Sequence, residues 1–189
     1  GLVLTVSPSQ DSILRNLIYN GVVLGSSSAG GIAASANPGN NATLKIINCT
    51  NNGTILNKSL SASMAGGVLG SATAGTSGNL VLSELVNTGN VGISNQRAAK
   101  MSGGIIGSFS GMRNGNVVLE NSYNTGTIYS REKVGGIAGN VSSGYIKPTA
   151  GDVRITSCYN AGELFVNSKR YESALGEFNI KFSKGNSYC

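Results

Sequence analysis

The sequence predicts an all-β chain wound as a parallel β-solenoid, a three-sided β-helix of about five coils of 32–37 residues. Three observations carry that prediction. A Gly-Gly-aliphatic triplet recurs at Gly30-Gly31-Ile32, Gly66-Gly67-Val68, Gly103-Gly104-Ile105 and Gly135-Gly136-Ile137, with spacings of 36, 37 and 32 residues. An Asn-x-Gly-x-aliphatic run recurs in step at Asn51, Asn87, Asn124 and Asn160, spaced by 36, 37 and 36 residues. Aliphatic residues two apart stand seven and five positions ahead of each Asn: Leu44 and Ile46, Leu80 and Leu82, Val117 and Leu119, Val153 and Ile155. Self-similarity at such a period marks solenoids and propellers. Apolar residues at a period of two mark a strand with one buried face.

Taken in order, residues 1–29 read as a degenerate first coil. Leu14, Leu17 and Gly21 align there with the later units if one residue is deleted ahead of Gly21. Coils follow at 30–65, 66–102, 103–134 and 135–168, and together 1–168 form the repeat region. Each coil offers three short strands: the run after Gly-Gly, the run ahead of Asn, and the run after Asn-x-Gly. The position two before each Asn (Cys49, Leu85, Ser122, Cys158) breaks the even spacing, which predicts a bend or bulge. Turns carry Gly and Asn, which tolerate positive φ. The distance from each Gly-Gly to its Asn is 21, 21, 21 and 25 residues, whereas that from each Asn to the next Gly-Gly is 15, 16 and 11. One half of the unit is held fixed and the other varies, as in a framework with loops on one side. The longer last interval places an insertion around Tyr145–Pro148. Ser94–Met101, Gly107–Asn114 and Val141–Ala150 are the loops expected to carry function.

Residues 169–189 differ in composition and read as a C-terminal cap or junction. Lys169, Arg170, Glu172, Glu177, Lys181 and Lys184 concentrate there, and Phe178, Ile180 and Phe182 alternate with polar residues as in a half-buried strand. Charge on an edge strand blocks further pairing. Leu175-Gly176 stands where a fifth Gly-Gly would fall. The N-terminal end shows no such protection, so more chain or a partner is expected to cover it. No segment combines a 3.6-residue period with helix caps. The alternative is a propeller, whose units run about 40–45 residues with four strands each; the shorter units here, rich in small residues, suit tight corners better.

Gly, Ser and Asn make up 76 of the 189 residues, charged residues only 12%, and the chain has no His and no Trp. A His-based nucleophile triad and a His-ligated zinc site are therefore excluded within this chain. The net charge is +6, but the 14 Lys and Arg are scattered, without a basic stripe and interleaved aromatics. Nucleic acid is therefore not an expected partner. No run approaches the roughly 18 consecutive apolar residues of a membrane-crossing helix. The chain opens inside a strand-like run without an initiator Met and closes on Cys189, which reads as a piece of something longer or a processed product. No Gly-Lys-Ser/Thr phosphate loop is present, and no cofactor or metal is expected.

Asn51, Asn87, Asn124 and Asn160 are read as a structural ladder, stacked at one corner and bonded side chain to side chain and to the turn backbone. Cys49 and Cys158 share a phase three coils apart; at about 4.8 Å per coil they are too distant for a disulfide and read as buried small residues. Cys189 lies outside the repeat and is a candidate for a disulfide to a Cys beyond the segment. Asn41, Asn48, Asn52, Asn57 and Asn140 begin Asn-x-Ser/Thr sequons and are candidate N-glycosylation sites. The acids Asp11, Glu84, Glu120, Glu132, Asp152, Glu163, Glu172 and Glu177 are dispersed, with no pair compelled to meet as carboxylate catalysis requires. Recurring Asp for calcium-binding repeats is absent, and the column Thr54, Asn90, Thr127, Glu163 breaks an ice-binding pattern.

Gly-Gly-Ile-Ala-Gly (135–139), Gly-Gly-Ile-Ile-Gly (103–107), Asn-Ser-Tyr-Asn-Thr-Gly-Thr-Ile (121–128) and Ser-Cys-Tyr-Asn-Ala-Gly-Glu-Leu (157–164) resemble GLUG-type repeats. These occur in large bacterial cell-surface proteins, including regions attached to immunoglobulin-A proteases, and similar repeats occur in protist surface proteins. The resemblance covers roughly residues 30–165. It implies a passive stalk or adhesive module with catalysis elsewhere, and carries over no catalytic residues. The expected function is thus a non-catalytic extracellular or cell-surface spacer or adhesion module. Its expected partners are the remainder of a larger chain or neighbouring subunits, together with glycans or host-surface proteins. The competing readings are a carbohydrate-binding or carbohydrate-active module and a segment of an extracellular filament. The carbohydrate reading requires Tyr129, Tyr145, Tyr159, Tyr171 and Glu163 to converge on one face.

Overall fold

A computed structural model describes residues 1–59, 61, 63–111, 114–143, 152–171 and 177–179, with backbone alone at 95, 111, 143, 171 and 177–179. The first coil runs through β1 (Val3–Val6), β2 (Ser12–Arg15), β3 (Ile18–Tyr19), β4 (Val22–Gly25) and β5 (Ser28–Gly30). The second has β6 (Ala33–Ala36), β7 (Thr43–Asn51), β8 (Thr54–Asn57) and β9 (Met64–Gly66). The third has β10 (Leu69–Thr73), β11 (Asn79–Asn87), a 3-10 turn at Asn95–Arg97 and β12 (Ala99–Gly103). The fourth has β13 (Ile106–Gly111), β14 (Asn116–Glu120), β15 (Tyr123–Asn124) and β16 (Ile128–Gly135). The fifth has β17 (Asn140–Ser143), β18 (Val153–Thr156), β19 (Tyr159–Asn160) and β20 (Leu164–Val166), then β21 (Lys169–Tyr171) and β22 (Glu177–Asn179).

These strands stack into a three-sided parallel β-solenoid. Face A orders β1-β6-β10-β13-β17-β22, and face B takes the long run ahead of each Asn. Face C holds β5-β9-β12-β16-β20-β21, with β4 and β8 pairing alongside. Face B is crossed five times, which makes four full turns from first to last crossing. Among the described residues every ladder is parallel except β20–β21, and no α-helix occurs.

Side-chain alternation explains the face B strands. Leu44, Ile46, Leu80, Leu82, Val117 and Leu119 point inward and are fully buried. Each such side chain gains about 1.5–3 kcal/mol from leaving water. The expected break in alternation is a column of left-handed residues three positions before the Asn corner: Asn16, Asn48, Glu84, Asn121 and Ser157 all have φ between 49° and 59°. That residue turns the backbone so that Leu17, Cys49, Leu85, Ser122 and Cys158 face inward again. At Ser122 the core receives a hydroxyl; it donates to the Glu120 carbonyl (2.7 Å) and accepts the Leu85 amide (2.9 Å), so no polar group is orphaned.

The Gly-Gly pairs form the corner from face C to face A. A Cβ on Gly67 would overlap the Asn87 side chain and the Gly104 carbonyl; one on Gly31 would overlap the Asn51 amide. The two sequence landmarks therefore touch across the interior. In these coils the interval from Gly-Gly to Asn is 21 residues, which sets the glycine against the amide it accommodates; the 25 residues of coil five include 144–151, which lie outside the described residues. The variable half is face C. On that face coil two is divided between β8 and β9 and coil three carries the 3-10 turn ahead of β12, whereas coil four crosses it in the single strand β16.

Three expectations change on contact with the structure. The first coil needs no deletion: one register runs from Ser12–Leu44 through Tyr19–Asn51 to Gly25–Asn57, and Tyr19 occupies the Asn position. Of the expected loops, most of Gly107–Asn114 is strand, since Gly107–Gly111 belongs to β13, and Ala99–Met101 of Ser94–Met101 belongs to β12. Of Val141–Ala150, residues 141–143 lie in β17 and the rest lies outside the described residues, as do Tyr145–Pro148, Glu172, Leu175-Gly176, Ile180–Phe182, Lys184 and Cys189.

Candidate functional site

The Asn column stands at the corner between faces B and C, each Asn ending a face B strand. Asn51 Nδ2 donates to Asn87 Oδ1 at 2.7 Å, Asn87 to Asn124 at 2.6 Å, and Asn124 to Asn160 at 2.6 Å. Each Nδ2 also donates to the carbonyl two residues on, at Gly53, Gly89, Gly126 and Gly162 (2.8–3.0 Å). Asn51, Asn87 and Asn124 are completely buried. Their hydrogen-bonding capacity is used within the fold, so the row is not a surface for a ligand.

The carboxylates are scattered over the surface. Asp11 accepts the Thr43 amide at 2.7 Å, Glu132 pairs with Lys100 at 3.0 Å, and Glu163 pairs with Arg170 at 3.6 Å. Among the described residues no three His, Cys, Asp or Glu side chains come together as metal ligands. Cys49 is buried, and burial pushes its thiol above the usual range. Cys158 donates to the Thr156 carbonyl at 3.2 Å.

The aromatic set does not converge. Tyr159 stacks on Tyr123 on face B, with ring centroids 5.1 Å apart, while Tyr129 stacks on Phe165 on face C at 4.7 Å. Neither Tyr145 nor the Tyr171 side chain is among the described residues. Of the sequons, Asn41 is exposed in the left-handed region. Asn48 and Asn52 are exposed but donate to Asn16 and Asn20 of the coil above, both at 2.9 Å. Asn140 is half-buried and donates to Ser108. Asn57 is only 1% exposed and donates to the Ser27 carbonyl, so its amide has no room for a glycan.

The outer side of face B carries the feature that inward-looking patterns miss. A shallow groove of about 420 Å³ is lined by Thr43, Asn79, Val81, Asn116, Val118, Asp152 and Arg154. Two register columns build it. Thr43, Asn79 and Asn116 stack eight positions before each Asn corner, with Asp152 next below. Val81, Val118 and Arg154 stack two positions further on. Asn116 Nδ2 donates to Asn79 Oδ1 at 3.1 Å, and the Asp152 amide donates to Asn116 Oδ1 at 3.3 Å. The result is an apolar valine floor beside a row of amides, closed at one end by an acid and a guanidinium. Counting back from Asn51, Asn87, Asn124 and Asn160 would have exposed the polar column in the sequence.

On face C the basic side chains act as staples. Arg131 on coil four donates to the Ser59 carbonyl and, at 3.2 Å, to Ser63 Oγ, two coils away. Lys133 donates to Asn140 at 3.2 Å. Among the described residues no helix is long and apolar enough to cross a membrane. The fold and these columns define a repeat-built parallel β-solenoid. No protein-family model, curated protein or solved structure matches the chain.

Proposed function

We propose that this chain is a non-catalytic β-solenoid segment of a larger extracellular surface protein, a spacer that also presents an adhesive face. The observation that supports it most directly is the division of polar groups. The amides inside are spent on axial continuity, from Asn51 to Asn160, while face B presents unbroken rows of side chains outward. The resemblance to GLUG-type surface repeats points the same way. The remainder of a larger chain or neighbouring subunits would hold the segment, and the groove of face B would meet glycans or proteins of another surface.

With Tyr129 and Tyr159 on different faces the expected aromatic basis is gone, and a carbohydrate-binding module is the second reading on one other observation: the side-chain amides of Asn79 and Asn116 flank the Val81–Val118 floor beside Asp152 and Arg154. Amides and ions at a shallow apolar floor suit polyhydroxylated ligands. Both readings are tested by probing the full chain, beside an Asn116→Ala/Arg154→Ala variant, on arrays of glycans and extracellular-matrix proteins. Retention of matrix proteins that the variant loses supports adhesion. Retention of glycans selects the second reading, and cleavage of any glycan overturns the non-catalytic proposal.

A further inference from the structure

Charge is divided unevenly between the faces. Face B, with the residues that lead into it, carries Arg15, Lys45 and Arg154 against Asp11, Glu84, Glu120 and Asp152, and so comes close to neutral. Among the described residues, face C carries seven Lys and Arg against two acids. Both acids are engaged, Glu132 with Lys100 and Glu163 with Arg170. Lys133 donates to Asn140. The remaining four cations, Lys58, Arg97, Arg131 and Lys169, have no carboxylate partner, and they fall one to a coil on coils two to five. Stacking sets them in a row. Ala99, just after Arg97, pairs with Ser130, Ser130 with Val166, and Val166 with Lys169. Arg131, next to Ser130, donates to the Ser59 carbonyl and to Ser63 Oγ, beside Lys58. Lys58, Arg97 and Lys169 are exposed, and the buried Nε of Arg131 has no hydrogen-bond partner among the described residues.

We infer that this row is a binding surface for a linear acidic polysaccharide, a hydroxylated polymer bearing carboxylate or sulfate groups, laid along the solenoid axis. Coils rise by about 4.8 Å each, so the four levels span roughly 14 Å. Successive levels stand within one Debye length at physiological salt, so the cations act on a polymer together, whereas a lone small anion meets one or two of them. Guanidinium holds a planar oxyanion through two parallel hydrogen bonds. Ser61, Ser94 and Gln96 are exposed beside the charges and supply the hydroxyl and amide partners that sugar hydroxyls take. Single-stranded nucleic acid calls for ring faces open to its bases. The described rings of this face, Tyr129 and Phe165, are stacked on each other instead. Among the described residues a second copy of the chain presents no acidic face to match the row, since face B is near neutral. The row is separate from the groove of face B, so the inference does not depend on what that groove binds.

The test immobilises heparin and polygalacturonate, with uncharged dextran and oligothymidylate beside them, and measures binding of the full chain by biolayer interferometry at physiological salt. The parent chain is compared with Arg97→Gln/Lys169→Gln and with Arg15→Gln/Lys45→Gln, two pairs of exposed substitutions that lower the net charge equally. Circular dichroism verifies the fold of both variants. The expected result is binding to heparin or polygalacturonate that weakens about fivefold or more in the face C variant and by about twofold or less in the face B variant. Preference for one polymer says whether sulfate or carboxylate is read. Equal weakening in the two variants reduces the attraction to net charge and overturns the inference. So does retention of neither acidic polymer, or of dextran as firmly. Tighter binding to oligothymidylate that the face C variant loses also overturns it, and assigns the row to nucleic acid.

Discussion

Replacing Asn87 by Ala removes three buried hydrogen bonds: those to Asn124 and to the Gly89 carbonyl, and the one received from Asn51. At about 1 kcal/mol net each, the bonds alone account for about 3 kcal/mol. The Gly89 carbonyl and one Asn51 N–H then lose their partner at a site closed to water, which brings the expected loss to about 3–5 kcal/mol. Asn160 accepts from Asn124 and from the Gly162 amide and donates to the Gly162 carbonyl, but stands at the half-exposed end of the column. Water can replace its partners there, so Asn160→Ala should cost only about 1 kcal/mol. The assay is urea unfolding followed by far-UV circular dichroism and by the fluorescence of the 7 Tyr, since the chain has no Trp. Coincidence of the two probes justifies a single free energy, a check that repeat folds require. Equal losses for the two variants, or a loss below about 1 kcal/mol at Asn87, would refute the view that the buried ladder stabilises the stack.

Three further outcomes follow from the same geometry. Gly67→Ala should destabilise by about 3 kcal/mol or more, because its Cβ would overlap both Asn87 and the Gly104 backbone; adding Asn87→Ala should not rescue it, and thermal unfolding measures both. Glu84 is exposed with φ 56°. Its replacement by Asn, which tolerates the left-handed region, should stabilise by about 1 kcal/mol in urea unfolding. Burial raises the Cys49 thiol, so its contribution to stability is intact below the ordinary thiol pKa and lost as pH rises through the raised one. Cys49→Ala should flatten the alkaline fall in stability, and a disulfide reagent at mildly alkaline pH should label Cys49 far more slowly in folded than in unfolded chain.

What could be read from the sequence was whatever faces inward. Leu80 and Leu82 announce a strand because the core dictates their alternation, and the constant interval from Gly67 to Asn87 reflects two residues in contact. The bend ahead of Leu85 was legible as a break in period, although the residue responsible, Glu84, gives no local sign of a left-handed backbone. The first coil is aligned with a deletion it does not need, because Tyr19 stands at the top of the column in place of an amide and an alignment by residue type then slips. The groove was missed for a different reason. Thr43, Asn79, Asn116 and Asp152 share a column at the period of the Asn corner, but solvent tolerates any polar residue there, so their types do not mark them. Only the strand stacking brings them to one surface beside Val81 and Val118.

The unbroken passage of β16 across face C shows that the break between β8 and β9 and the turn ahead of β12 are additions to a complete frame. In coils two to four the frame closes through glycine and amide at its corners, so a coil's circumference can grow on face C without changing the pitch. Face C is thus a slot in which peptide of arbitrary sequence can be carried at a set height along the shaft. New recognition could be grafted there, level by level, while the axial scaffold stays as it is.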